Sequence, residues 1–370
     1  MMYLILLIVF IILSVFNLFY VYNRLGKFYV IRKITEGSRV KKLLVKLPPV
    51  IAMAVWCVIK PIHGLIAVVH LLIFWLLAEL LFIIIRKITK KEFKLYWQGV
   101  LALVVTAVYL GSGWYFAHHV YETDYAISTE KALPGGNLRV LVIADSHVGS
   151  TFDGDGFAKH MEKAQETEPD IMFVVGDYVD DDTTREDMVK CCAALGKMKT
   201  TYGVYYVFGN HDRGYFNSRD FSADDMVAEL EKNGVNVLTD ESVLVGNSFY
   251  VIGRKDRSFK ERASMAELTG GLDKSKYMIV LDHQPHDFTA QEQSGVDLVF
   301  CGHTHGGQMW PIGITGEVSG ANEKTYGLET RSNTTYIVTS GISDWAIPYK
   351  TAAIAEYVVV DIKGEDRGEE

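Results

Sequence analysis

Cysteine is scarce in this chain of 370 residues, which contains only Cys57, Cys191, Cys192 and Cys301. Their spacing matches neither the closely spaced framework of a small secreted disulfide domain nor the paired pattern of a zinc knuckle. The sequence therefore argues against a fold that depends on disulfides. We interpret the four cysteines as small buried apolar side chains.

Acidic residues are nearly absent from the first third of the chain. Residues 1–120 contain 14 Lys and Arg against 3 Asp and Glu, a net charge of +11, whereas residues 121–370 contain 23 against 42, a net charge of −19. This break predicts a domain boundary near residue 120. The acidic second part argues against a nucleic-acid partner, because a nucleic-acid groove needs a basic face.

Charge is also missing from several long runs within residues 1–118, where we predict a four-helix transmembrane region. About 20 consecutive apolar residues suffice to cross a hydrocarbon core. The four predicted spans are 2–21, 47–60, 62–85 and 97–117. No basic segment precedes the first run and no small-residue cleavage site follows it, so a cleavable signal peptide fits poorly.

Two basic clusters predict how these spans are oriented. Residues 22–42 contain seven Lys and Arg, and residues 86–94 contain five. Basic loops stay in the cytoplasm, and both can do so only if the short run 47–60 also crosses. We therefore predict a multi-pass protein of the cell membrane whose residues after 118 lie outside the cytoplasm. Glu79, inside the third run, is either a functional acid or an interfacial residue close to Arg86.

After a predicted linker and first strand over 119–137, the second part alternates apolar strands with helix-like stretches. This alternation predicts an α/β domain with buried sheets over 138–362, followed by a solvated tail over 363–370. The strands that carry the argument are 138–143, 171–175, 203–208, 277–281 and 297–301.

Each of these five strands is followed by polar residues, in the strings ADSH, GDYVD, GNHD, DHQP and GHTH. Ligands in such sheets bind outside the carboxyl ends of the strands. The predicted metal ligands are Asp145, His147, Asp177, Asn210, His283, His303 and His305. Imidazole, carboxylate and amide oxygens suit Mn, Zn or Fe better than calcium. Seven ligands are too many for one open catalytic ion, but they fit two divalent ions that share a carboxylate.

Each motif has an ordinary explanation when it is taken alone. A Gly-Asp pair after a strand often marks only a turn, and the two histidines of GHTH could be a buried core pair. The combination, in this order and with every block at a strand end, favours a metal site. The glycines of GHTHGGQ would let the backbone pass close to it.

The ordered blocks D-x-H, G-D, G-N-H-D, H and G-H-x-H resemble the signature of the calcineurin-like metallophosphoesterases over about residues 120–362. The resemblance implies an αββα sandwich, two sheets flanked by helices, with a dinuclear metal centre. The strings LPGG at 133–136 and GHTHGGQ at 302–308 resemble a bacterial subgroup. That subgroup includes membrane-associated phosphodiesterases and the UDP-2,3-diacylglucosamine pyrophosphatases of lipid A biosynthesis.

The resemblance also implies a role for each residue. One ion would be held by Asp145, His147, Asp177 and His305. The other would be held by Asp177, Asn210, His283 and His303, so that Asp177 bridges the two. His211 would protonate the leaving oxygen and Asp212 would orient its ring. Position 350 is Lys where the subgroup has Arg, which leaves open how 341–350 contacts a substrate.

The sequence thus predicts a membrane-anchored, dinuclear-metal-dependent phosphohydrolase. Its expected reaction is hydrolysis of a phosphodiester, pyrophosphate or phosphomonoester by metal-bound hydroxide, with manganese among the candidate metals. Membrane attachment favours a lipid-linked or cell-envelope substrate, and membrane lipids as neighbours. The alternative is a non-catalytic membrane sensor or scaffold, which an incomplete ligand set would favour. The ligand set is complete here.

Overall fold

The protein is described by a computed structural model over residues 2–216 and 218–365. The chain divides into two compact units, Met1–Ser112 and Gly113–Glu370. The four cysteines are unpaired thiols in the described structure, as the sequence predicts, and all except Cys57 are buried.

The first unit is helical. Its helices are α1 (Met2–Leu25), α2 (Tyr29–Ile34), α3 (Arg39–Ile59), α4 (Pro61–Thr89) and α5 (Trp97–His118), of which α5 ends in the second unit. Within the described residues, α3, α4 and α5 are long and apolar enough to cross a membrane, whereas the first helix shows only the shorter apolar stretch Ile11–Leu25. Among the described residues the structure therefore shows three such helices, and the first of the four predicted spans stays a prediction.

Helix α3 is longer than the span predicted over 47–60. It begins at Arg39 because the hydroxyl of Ser38 caps it, accepting a hydrogen bond from the backbone N–H of Lys41 at 3.2 Å. Pro48 and Pro49 lie inside the helix without ending it. The 21 residues from Arg39 reach the length of a membrane span, which residues 47–60 alone do not.

Glu79 of α4 is a paired acid. Its carboxylate lies 2.7 Å from Nη2 of Arg24 and 3.8 Å from Nζ of Lys27, and it accepts a hydrogen bond from the Tyr96 hydroxyl at 2.5 Å. These contacts join α1 to α4 within the first unit. They account for the acid as a structural ion pair whose partners, Arg24 and Lys27, neither interpretation from the sequence named.

The second unit contains two mixed six-stranded sheets. The strands are β1 (Val120–Ala132), β2 (Asn137–Ile143), β3 (Ile171–Val175), β4 (Val204–Val207), β5 (Val235–Val237), β6 (Glu241–Val245), β7 (Phe249–Gly253), β8 (Tyr277–Leu281), β9 (Leu298–Cys301), β10 (Gly327–Arg331), β11 (Thr334–Val338) and β12 (Ala355–Glu365). One sheet has the order β1-β12-β2-β3-β4-β5 and the other β10-β11-β9-β8-β7-β6.

The two sheets pack face to face, with helices on their outer faces. The helices of this unit are α6 (Gly154–Gln165), α7 (Arg185–Gly196), α8 (Ala223–Lys232), α9 (Met265–Thr269), α10 (Phe288–Gln293) and α11 (Ile314–Val318). Along β2, Val140 and Val142 enter the core between the sheets, whereas Leu141 and Ile143 enter the core beneath α6 and α7. This alternation, expected of a strand with two buried faces, produces the αββα layering.

Strand β12 corrects the prediction of a solvated tail over 363–370. Lys363 pairs with Ser128 of β1 and with Asn137 of β2, so residues 363–365 belong to the sheet. Residues 366–370 lie outside the described residues. The prediction failed because β1 is long enough to give the end of β12 a partner, whereas the sequence predicted a linker and a first strand over 119–137 without showing how long that strand is.

The sheet topology gathers the polar strand ends. β2, β3 and β4 run parallel in the first sheet, and β8 and β9 run parallel in the second. The carboxyl ends of parallel strands share one edge of a sheet, and here the two edges face each other across the sandwich. The five motif-bearing loops therefore converge on one place.

Candidate metal centre

The predicted ligands lie on loops with an unusual backbone. Five of the seven have positive φ: Asp145 (53°), His147 (35°), Asp177 (50°), His303 (71°) and His305 (49°). Side-chain-bearing residues rarely adopt this left-handed conformation, and where it clusters it accompanies functional sites. The loops thus hold these side chains in place at a conformational cost that surrounding contacts offset.

Asp177 lies at the centre of the site. Its Oδ2 is 3.1 Å from Nε2 of His283 and 3.6 Å from Nε2 of His147, while its Oδ1 accepts a hydrogen bond from the backbone N–H of His211 at 2.8 Å. One carboxylate therefore faces imidazoles from both sheets. Its position between them is what the bridging role inferred from the resemblance requires.

The described acids and imidazoles of the site form three groups that could hold an ion, and two of these consist of predicted ligands. The possible donor atoms within each group lie within 4.8 Å of one another. The two groups of predicted ligands are Asp145, His147 and His305, and Asp177, His283 and His303, and the third is His147, Asp180 and His211. Each of these two groups of predicted ligands contains only residues that the resemblance assigned to the same ion.

Close backbone approach explains two glycines of the motifs. A Cβ atom at Gly302 would lie 2.4 Å from Oδ2 of Asp145, and one at Gly209 would lie 2.2 Å from Oδ1 of Asp177. Any side chain at either position would displace a predicted ligand. The carboxylate of Asp145 also accepts the backbone N–H of His303 at 2.9 Å, which ties the two sheets together.

Three buried atoms test whether a metal fits. Nε2 of His147 and Oδ1 of Asn210 are buried and have no hydrogen-bond partner among the described residues, and the buried Nε2 of His283 faces the carboxylate of Asp177 at 3.1 Å. The opposite ring nitrogens are engaged, since Nδ1 of His283 lies 2.8 Å from the carbonyl of Val175 and Nδ1 of His147 lies 3.0 Å from Asp180. Imidazoles held at one nitrogen and open at the other are typical metal ligands, so the donor set fits divalent cations.

The pKa shifts of the ligands point in two directions. Those of Asp177, His303 and His305 favour the forms that bind metals, whereas the pKa values of Asp145, His147 and His283 are raised, the two histidines because nearby carboxylates outweigh their burial. Burial opposes ionisation of Asp177, but the nearby His283 and His147 outweigh it and hold the pKa of this carboxyl below its usual range. Burial and repulsion from His283 lower the pKa of His303 to about 4. Burial, with His147 and Lys350, lowers the pKa of His305 well below its ordinary value. Burial raises the pKa of Asp145 to about 6.

The role expected for Asp212 is wrong. Its carboxylate accepts four backbone N–H groups, from Gly209 (2.7 Å), Asp177 (2.9 Å), Tyr178 (2.7 Å) and Val179 (3.1 Å). Both oxygens are committed to the loops after β3 and β4, so Asp212 shapes these loops and does not orient the ring of His211. Burial raises the pKa of Asp212, and the Gly209 and Val179 amides partly offset that rise.

Asp180 is the functional candidate that the sequence argument missed. Its Oδ1 lies 3.0 Å from Nδ1 of His211, and its Oδ2 lies 3.0 Å from Nδ1 of His147. These two histidines outweigh the opposing effect of burial and hold the pKa of Asp180 well below its usual range. Asp180 is the last residue of GDYVD, three positions after Asp177, and this second acid in the motif was the signal in the sequence that could have identified it.

Lys350 is a buried cation that shapes the loop before it. Its Nζ donates to the carbonyls of Ser340 (2.6 Å) and Ser343 (3.1 Å) and lies 3.3 Å from Oδ1 of Asp344. Since its side chain is fully buried, Lys350 stabilises the loop over 341–350 from inside and is not exposed to a substrate. This answers the question that the departure from the subgroup pattern raised.

Aromatic side chains surround His211 at the opening of the site. The ring centroid of Tyr215 lies 4.8 Å from that of His211, and the centroid of Trp345 lies 5.0 Å from it. The hydroxyl of Tyr215 also accepts a hydrogen bond from Nδ2 of Asn210 at 2.8 Å. Both aromatic residues remain partly exposed, so His211 lies between the buried acids and a solvent-facing rim.

Comparison with known proteins gives a consistent picture. The pattern of the calcineurin-like phosphoesterase family matches residues 138–307. An uncharacterized metallophosphoesterase of Aquifex aeolicus is 30% identical over 250 residues, covering 65% of this chain and 91% of that protein. One of Helicobacter pylori (strain ATCC 700392 / 26695) is 32% identical over 225 residues, covering 59% and 58%.

A third relative is named as a transmembrane protein. A transmembrane protein with metallophosphoesterase domain from Danio rerio is 27% identical over 283 residues, covering 72% of this chain and 63% of its own. This chain spans only about 58% of the Helicobacter pylori relative, so similarity to it covers part of that protein. Metallophosphoesterases use a dinuclear metal centre, and the clusters of Asp and His described above could hold one. The motif order, the two converging sheets and these relatives together show that the chain belongs to the calcineurin-like metallophosphoesterase family.

Proposed function

We propose that the chain is a membrane-anchored phosphohydrolase that uses two divalent ions to hydrolyse a phosphodiester or pyrophosphate, with a lipid-linked or cell-envelope compound as the substrate. The observation that carries the proposal is the position of Asp177, whose Oδ2 lies within 3.6 Å of an imidazole from each ligand group. A carboxylate shared in this way holds a pair of ions close enough to act on one phosphoryl group.

The ligand assignment follows the two groups. Asp145, His147, Asp177 and His305 would hold one ion, and Asp177, Asn210, His283 and His303 the other. The buried Nε2 atoms of His147 and His283 and Oδ1 of Asn210 support this division because each is the donor that a metal would take. When bound, the ions would offset the negative charge of the phosphate and lower the pKa of a water nearby.

The chain's own contribution to the leaving group would come from His211. Its Nδ1 is held by Asp180, so the proton that a leaving oxygen takes would be at Nε2. Asp180 is ionised, as its depressed pKa indicates, and its Oδ1 lies 3.0 Å from Nδ1 of His211, where it would hold the ring in place. Tyr215 and Trp345 would limit how far the ring can turn.

The location of the site follows from helices and charge. The basic stretch 22–42 precedes α3, and the basic stretch 86–94 lies between α4 and α5. If both face the cytoplasm, α3, α4 and α5 cross in turn and the second unit emerges outside. The second unit would lie outside whether or not α1 also crosses.

Asp177→Asn tests the proposal. We expect it to bind less than half of the metal of the parent protein and to lose turnover of a chromogenic aryl phosphodiester with Mn²⁺ by more than 10²-fold, because a bridging carboxylate serves both ions. Metal analysis and initial rates of the purified full chain supply the measurements. The matched control is Asp224→Asn, an exposed acid in the first turn of α8, which should keep both properties.

Two results would count against this reading. If the parent protein, loaded with Mn²⁺, Zn²⁺ or Fe²⁺, cleaves no diester, pyrophosphate or monoester, the chain is the sensor or scaffold that the sequence left as an alternative. If Asp177→Asn retains a full complement of metal, the carboxylate does not bridge.

A further inference from the structure

A short segment of the second unit exposes an unusual number of apolar side chains. Trp310, Ile312, Ile314 and Val318 are between 55% and 82% exposed, all within residues 309–318, which we call the apolar segment. Single exposed apolar residues are ordinary, but a cluster of this kind marks an interaction surface. The segment contains one charge, Glu317, and its carboxylate accepts the backbone N–H of Thr325 at 2.6 Å.

The apolar segment is attached directly beside the end of α5. The N–H of Trp310 donates to Oγ1 of Thr351 at 3.0 Å, and the N–H of Lys350 donates to the carbonyl of Gly113 in α5 at 2.8 Å. Only the adjacent residues 350 and 351 separate the two elements. The packing is close, since a Cβ atom at Gly113 would lie 2.6 Å from Cγ2 of Thr351. All of these residues belong to the second unit.

The end of α5 has the features of a helix that leaves a membrane. α5 is one of the three helices long and apolar enough to cross within the described residues. Trp114 and Tyr115, in the turn after Gly113, are both about half exposed. Tryptophan and tyrosine are enriched where a membrane helix meets the headgroups. A segment held two residues away from this turn lies at the same level.

We propose that the apolar segment is a membrane-contact loop, which buries Trp310, Ile312, Ile314 and Val318 in the leaflet from which α5 emerges. Its near absence of charge and its tryptophan suit the boundary between headgroups and acyl chains. A lipid bilayer is favoured over a second copy of the chain as the occupant, because a membrane helix already places lipid beside this surface.

The contact would also set where the metal site opens. The amide of Gln308, next to the apolar segment, donates to Oδ1 of Asp344 (3.0 Å) and to the carbonyls of Ile347 (2.8 Å) and Tyr349 (3.0 Å). The loop that it holds carries Trp345, which lies against His211. The mouth of the site would therefore open towards the headgroups. Resting on the proposed function, this identifies the substrate class as a phosphodiester or pyrophosphate carried by a membrane lipid.

Depth-dependent quenching tests the contact. The purified full chain, with Cys57→Ser to remove the half-buried thiol, is labelled at a single new cysteine with an environment-sensitive fluorophore and placed in lipid nanodiscs. Val318→Cys is the probe, and Val189→Cys on α7 is its matched control, since both valines are exposed. We expect spin-labelled lipid to quench the probe several-fold more than the control, and aqueous iodide to quench it several-fold less.

Equal quenching of the two positions by iodide would overturn the proposal. So would protection of position 318 from both quenchers that appears only with two chains per nanodisc, because a second copy would then cover the segment. The measurement needs no turnover. Lipid quenching in a protein that hydrolyses no phosphate ester would therefore count against the proposed function and leave the membrane contact in place.

Discussion

At the scale of single residues, the site depends on carboxylates whose two oxygens serve different partners. Asp180 divides its oxygens between His211 and His147, and Asp177 divides its own between the backbone of His211 and the buried imidazoles. Each acid thus links the residue proposed for proton transfer to the residues proposed for metal binding. Because both groups are buried, a shift in either acid changes the geometry of the whole site.

This sharing predicts how Asp180→Asn will behave. The amide keeps the size of the side chain but removes the charge that holds the ring of His211. We expect kcat to fall by about 10–100-fold on diesters with a poor alkyl leaving group, and much less on an activated nitrophenyl leaving group, which needs little protonation. His211→Ala should show the same pattern and keep its metal.

The comparison of the two leaving groups is the measurement that decides. A purely structural role of Asp180 would reduce both rates equally, with a matching loss of metal through His147. Asp155→Asn is the control, since this carboxylate is exposed and pairs with Lys190 on the helical face. Full activity of His211→Ala on the alkyl diester would rule out its role as the acid.

At the scale of elements, Asp212 fastens the loops after β3 and β4 to each other. Its four backbone hydrogen bonds satisfy N–H groups that these strands cannot pair. The sequence placed this acid in the right motif and assigned it the wrong partner. The carboxylate of an Asp in a tight turn can accept hydrogen bonds from a neighbouring side chain or from the backbone. Which of the two partners it takes depends on how the loops pack in the folded protein.

Asp212→Asn should therefore lower the thermal stability of the second unit more directly than it lowers the rate of the proposed reaction. The amide nitrogen would replace an oxygen that accepts two N–H groups, at a cost of about 1–3 kcal/mol for each buried donor left unpaired, or about 2–6 kcal/mol for the two. At about 2 °C per kcal/mol for a unit of this size, we expect the thermal midpoint of the second unit to fall by roughly 4–12 °C.

The midpoint would be followed by thermal unfolding of the metal-free chain in detergent, so that lost metal does not enter the result. Asp224→Asn, at the surface, should shift it by no more than about 1–2 °C. An unchanged midpoint in Asp212→Asn would mean that these four hydrogen bonds contribute little to holding the loops.

At the scale of the whole molecule, the two units have opposite charge, and the proposed orientation rests on the basic one. One basic stretch precedes α3 and another lies between α4 and α5, and in the proposed topology both stay in the cytoplasm and the second unit lies outside it. We expect a protease added to intact cells to cleave the second unit. A cytoplasmic marker should stay intact until the cells are opened. Protection of the second unit in sealed cells would reverse the assigned topology.

The sequence by itself determined the α/β character of the second unit, the family and the residues that the site brings together. It could do so because each motif follows an apolar strand, and the ends of parallel strands meet for geometric reasons. The number of long apolar helices was less secure, since a short run such as 47–60 does not show where its helix begins. The helix that contains it starts only where Ser38 caps it.

Only the tertiary structure decided which acid holds His211, where Lys350 lies and which apolar residues stay exposed. Asp180 and Asp212 are both near the motifs in the chain, and choosing between them requires the path of two loops in space. An apolar stretch such as 309–318 suggests burial when it is read as a string. Its exposure beside Thr351 depends on contacts between segments far apart in sequence. The local sequence pattern shows which residue types follow the end of each strand. The direction in which each side chain points depends on packing between segments that are far apart in the sequence.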